Sequence, residues 1–95
     1  MAVPYGSVQA LTTSPSQISV LDAKGNKATW IQIVNRSTSA DTFQLSWDGV
    51  TYISQLAPGV PAEFGGPMRS PIALSSIWLQ CLTSTATAEI TCGTG

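Results

Sequence analysis

Apolar and polar residues alternate along almost the whole of this chain, and no stretch sustains the 3.6-residue recurrence of a helix. Side chains of an extended strand point alternately to opposite faces, so a chain patterned this way folds by laying half-apolar strands against one another. Turn formers cut the pattern into short pieces. A strand is expected over residues 5–11, broken by Thr12-Thr13-Ser14-Pro15-Ser16, and a second over 17–21. Residues 22–27 read as a turn in which Gly25 and Asn26 tolerate positive φ. Thr29-Trp30-Ile31-Gln32-Ile33-Val34-Asn35 is dense in β-branched and aromatic residues and is expected to be a central strand.

The strict alternation of residues 42–47 gives a strand whose buried set is Phe43, Leu45 and Trp47. Asp48-Gly49 joins it to a strand over 50–53 as a hairpin. Leu56-Ala57-Pro58-Gly59 turns the chain into a short run over 60–64, and the loop at 65–71 holds too much Gly and Pro to pair along its length. Residues 77–83 and 87–92 are expected to close the domain as a final hairpin. The 95 residues therefore predict an all-β fold. We expect one antiparallel β-sandwich or jelly roll of about seven or eight short strands spanning residues 1–95, with a small closed β-barrel as the alternative.

Cys81 and Cys92 bracket the expected hairpin. In either plausible register Cys81 faces Ala88 or Ile90 and Cys92 faces Leu79 or Ile77, and a diagonal pair sits about 7–8 Å apart, too far to bridge. Both are expected as buried free thiols, in keeping with a reducing compartment.

Only 9% of residues are charged, against roughly 25% in ordinary soluble proteins, while 43% are hydrophobic. Ser, Thr, Gln and Asn must supply the polar surface. Such a surface loses little on contact with another protein, which suits a subunit packed against neighbours. A net charge of −1, with Lys24, Lys27, Arg36 and Arg69 the whole of the basic set, argues against nucleic acid and anionic membrane as partners. No apolar run approaches the ~20 residues of a membrane span, and the first residues lack the pattern of a secretory signal, so a cytosolic origin is expected.

Equipment for catalysis is missing. The chain has no His, which removes Ser-His-Asp and Cys-His nucleophiles and the commonest metal ligand. Two cysteines and scattered carboxylates make a poor zinc set, and Asp22-Ala23-Lys24-Gly25-Asn26 places a lysine where a calcium loop needs oxygen. Asp22, Asp41, Asp48, Glu63 and Glu89 lie on separate loops and strand ends, unpaired for glycoside chemistry. Asn35-Arg36-Ser37 matches a glycosylation sequon by letter alone. No enzymatic activity, cofactor or metal is expected.

If Ile31, Ile33, Leu79 and Cys81 point inward, the pleat sends Trp30, Gln32 and Val34 outward on one strand and Trp78, Gln80 and Leu82 outward on the other. These six are the expected protein interface, since Trp is enriched at the energetic centres of interfaces. Trp30, Trp47, Trp78, Tyr5 and Tyr52 also offer flat surfaces to sugars, so a carbohydrate-binding module is the alternative, with Trp47 and Phe43 better placed as structural aromatics.

The succession of Pro15-Ser16-Gln17-Ile18-Ser19-Val20, the Thr29–Asn35 strand, the Phe43-Gln44-Leu45-Ser46-Trp47-Asp48-Gly49 hairpin and Leu56-Ala57-Pro58-Gly59 resembles small virion proteins of tailed phages. There an "I-x-N" strand end, here Ile33-Val34-Asn35, and an "L-x-P-G" turn recur. The resemblance implies a decoration or cement protein, a β-sandwich on the outside of the head that reinforces joints between major capsid subunits; neck, head-fibre and tail components are the other roles it implies. Expected partners are the major capsid protein or other virion subunits and copies of the chain itself, with a trimer favoured. The expected location is the capsid surface, after synthesis in the host cytoplasm.

Overall fold

The computed structural model describes residues 5–21, 24–65 and 72–93, with backbone alone at Tyr5 and Gly6. The turn expected at 22–27 and the loop expected at 65–71 thus lie partly outside the described residues. Eight strands follow one another: β1 Tyr5–Leu11, β2 Ser16–Ser19, β3 Trp30–Asn35, β4 Phe43–Ser46, β5 Tyr52–Leu56, β6 Pro61–Gly65, β7 Ser76–Cys81 and β8 Ala86–Gly93.

The pairing has a simple logic. β1 pairs with β8, β2 with β7, β3 with β6 and β4 with β5, all antiparallel. The chain is therefore one long two-stranded ribbon doubled back at the Asp48-Gly49 turn. Two further pairings, β3 with β8 and β4 with β7, roll the ribbon into sheets of order β1-β8-β3-β6 and β2-β7-β4-β5. This is a jelly roll: two four-stranded sheets, with no closed barrel.

Register and burial agree strand by strand. β3 and β7 alternate half-buried and buried along their whole length, so Ile31 and Ile33 face Ile77, Leu79 and Cys81 across the core. Phe43, Leu45, Leu56, Ala88, Ile90 and Cys92 complete its centre. Trp47 packs at the margin, its ring 5.0 Å from Phe64 and nearly perpendicular to it, so that an aromatic pair joins the two sheets. As expected, β3 is an inner strand, between β8 and β6.

Four expectations need correction. Residues 77–83 and 87–92 form no hairpin, because β7 and β8 belong to different sheets and the 82–85 connection crosses between them. Cys81 consequently pairs with Phe43, and Cys92 with Ile31 and Tyr5. Neither cysteine is in a disulfide and both are buried all the same, and burial pushes the Cys81 thiol upward, with the Asp41 charge adding to it. The Asp48-Gly49 turn is longer than expected: β5 starts at Tyr52, and a bulge interrupts the register beyond Leu45. Asn26 keeps a negative φ, and among the described residues of that turn Gly25 alone carries a positive one.

Loops are tied by carboxylates. Asp41, ahead of β4, accepts hydrogen bonds from the backbone N–H of Thr42, Thr83 and Ser84 and from the Thr83 hydroxyl, at 2.7–3.2 Å. Asp48 accepts from the Ser46 hydroxyl and from the N–H of Val50 and Thr51. For Asp41 the Thr83 and Ser84 amides, and for Asp48 the Thr51 and Val50 amides, hold the carboxyl below its ordinary value of 3.8. Both groups are more acidic folded than unfolded, so their contribution is complete above that ordinary value and is lost as pH falls through the lower folded one. We expect stability to decline below about pH 4, and the decline to be shallower in Asp41→Asn, as thermal melts between pH 2 and pH 6 will show.

Candidate functional site

The pleat does send Trp30, Gln32, Val34, Trp78 and Gln80 outward, and Leu82 follows β7 as an exposed side chain. They do not form one patch. Trp30, Gln32 and Val34 lie on the outer face of β1-β8-β3-β6, while Trp78 and Gln80 lie on that of β2-β7-β4-β5, with the core between. Alternation assigns a residue to a face of its own strand and is silent on which sheet the strand joins. Both tryptophans are half-buried, each against a glycine. A Cβ at Gly93 would stand 2.8 Å from Cζ2 of Trp30, and one at Gly49 would stand 2.8 Å from Cδ2 and Cε2 of Trp78.

The first face carries a trough. Register places Val8, Glu89 and Val34 in one row across β1, β8 and β3, with Gly6, Thr91 and Gln32 in the next. An open depression of about 470 Å³ runs along these rows, lined by Val8, Gln32, Val34, Glu89 and Thr91. Val8 is 57% exposed. Arg36 pairs with Glu89 at 3.1 Å, and the Gln32 amide donates to Glu63 at 3.2 Å. The exposed ion pair contributes little stability, about 0–1 kcal/mol, but it neutralises the trough floor.

The second face is different. Its outward residues are Gln17 and Ser19 on β2, Ser76, Trp78 and Gln80 on β7, Gln44 on β4, and Ile53 and Gln55 on β5, while Ser46, opposite Trp78, is buried. None of the four strands contains Asp, Glu, Lys or Arg. Gln17 donates to the Ser76 hydroxyl at 3.1 Å, Gln44 to the side-chain Oε1 of Gln80 at 3.3 Å, and Gln80 to the Thr13 backbone carbonyl at 2.7 Å.

Sequence reasoning missed Val8 and Glu89 on the first face and Gln17, Gln44 and Gln55 on the second. The absence of charge from β2, β4, β5 and β7 was the available signal, but it acquires meaning only once those strands share a sheet. Of the aromatics offered to sugars, Trp47 joins the core margin, Tyr52 is half-buried with its hydroxyl enclosed, and the Tyr5 side chain lies outside the described residues. Among the described residues no three His, Cys, Asp or Glu side chains gather as a metal site.

No protein-family model and no curated protein sequence matches the chain. Among solved structures, the Yersinia pseudotuberculosis-derived mitogen is similar with a TM-score of 0.53 at 14% identity, over 100% of this chain and 88% of that one. A likeness at that identity is one of fold alone.

Proposed function

We propose that this chain is a structural subunit of a tailed-phage particle, a decoration or cement protein that binds the outside of the head and reinforces joints between major capsid subunits. The observation that carries this reading is the trough of the β1-β8-β3-β6 face, where Val8 and Val34 flank Glu89, whose charge is already paired with Arg36. Apolar rims over a neutral floor suit a ridge of a neighbouring protein, which buries the valines without stripping water from a lone charge. The sparse charge of the whole chain and the resemblance of its motifs to small virion proteins support the same role. Binding of many copies adds cohesion by mass action even where each contact is modest.

A trimer around a threefold position on the head is the favoured arrangement of the copies. Co-sedimentation with heads stripped of the protein tests the assignment. Wild type is expected to bind saturably, and Val8→Asp combined with Val34→Asp to weaken binding by about tenfold or more, since each aspartate sets an unpaired charge against the partner. Wild type that stays in the supernatant, or a double variant that binds as well, contradicts it.

A further inference from the structure

We propose that the outer face of β2-β7-β4-β5 is a binding site for an uncharged oligosaccharide. This goes beyond the assembly role, and it uses the opposite side of the sandwich.

The chemistry of the face sets the class of ligand. No charged side chain projects from its four strands, and the two carboxylates at its rim, Asp41 and Asp48, are engaged by backbone amides and hydroxyls. Nothing here steers or compensates a charged ligand. Apart from Trp78 and Ile53, the side chains that project are primary amides and hydroxyls, which both donate and accept, as sugar hydroxyls do. Gln17, Gln44 and Gln80 are already held by hydrogen bonds, so part of the side-chain entropy that binding would cost has been lost on folding.

Trp78 stands amid these amides, opposite Gln17 on β2 and Ser46 on β4. The Cδ2, Cε2 and Nε1 atoms that Gly49 approaches can be reached together only from above the ring, so the hairpin tip lies on one face of the indole and fixes its tilt. Asp48 and the positive φ of Gly49 in turn hold that tip. An indole braced this way, with polar neighbours on both sides, suits a ring that has apolar C–H faces and hydroxyls at its edge.

The experiment titrates the full chain with neutral hexasaccharides of glucose, galactose, mannose and N-acetylglucosamine, following tryptophan fluorescence and heat. At least one is expected to bind saturably, with affinity changing less than about twofold between roughly 0.05 and 0.5 M NaCl. Trp78→Ala is expected to lose about tenfold or more and Gln17→Ala several-fold, while Trp30→Ala binds as wild type. Gln17 is exposed, so its variant keeps the test decisive if Trp78→Ala fails to fold. No binding across the panel, binding that survives both Trp78→Ala and Gln17→Ala, or self-association that Trp78→Ala abolishes each overturns the proposal.

Discussion

Asn35→Ala is expected to cost about 3–5 kcal/mol of folding stability, a large share of the ~5–15 kcal/mol typical of a domain. Asn35 ends β3, is fully buried, and its amide donates to the carbonyls of Asp41 and Leu56 at 2.9 Å each. Its backbone is engaged as well: its carbonyl accepts from Gly59 at 2.7 Å and its N–H donates to Val60 at 3.2 Å. One residue thus fastens the β3 end to the Leu56-Ala57-Pro58-Gly59 turn and to the loop ahead of β4. Alanine leaves two carbonyls without a partner, at roughly 1–3 kcal/mol each, and adds a small void. Asn35→Asp is expected to be at least as damaging, because it places a carboxylate where the Asp41 and Leu56 carbonyls require a donor. Urea unfolding measures both. A loss below about 1 kcal/mol for the alanine variant would mean that the two turns hold without this clamp.

Phe43→Ala is expected to lose about 3–5 kcal/mol by a different route. Phe43 is fully buried on β4, between Leu56 of β5 and Cys81 of β7. Truncation there removes apolar contact from both neighbours in one sheet and from the facing sheet. Short strands pinned by backbone pairing cannot close the space. The urea midpoint should fall without a change in slope, and an unchanged midpoint would place Phe43 outside the core.

The contrast between these residues shows what a sequence of this kind discloses. Phe43, Ile31 and Leu79 were legible as core because strand periodicity alone assigns a face. The pairing of β7 with β2 and β4, and of β8 with β1 and β3, was not legible, since the alternation of each strand is compatible with many partners. Adjacency in sequence favoured a β7–β8 hairpin, whereas rolling the ribbon sends consecutive strands to opposite sheets everywhere but at the β4–β5 tip. The same omission merged Trp30 and Trp78 into one patch. Asn35 and the Leu56-Ala57-Pro58-Gly59 turn were each visible as punctuation, yet their hydrogen bonds span 21 or more residues and no local signal announces them. Asp41 looked like one more polar loop residue, because the Thr83 and Ser84 amides that it binds lie more than forty positions away.

The trough of β1-β8-β3-β6 is proposed to meet protein, and the amide face of β2-β7-β4-β5 to meet solvent and sugar. A high-resolution reconstruction of the intact particle tests this most directly. The chain is expected on the head surface at joints between capsid subunits, with β1-β8-β3-β6 against the shell, Val8 and Val34 buried, and β2-β7-β4-β5 turned outward. A particle without the chain, or one on which Trp78 and Gln17 are pressed against the shell while Val8 faces solvent, would contradict it.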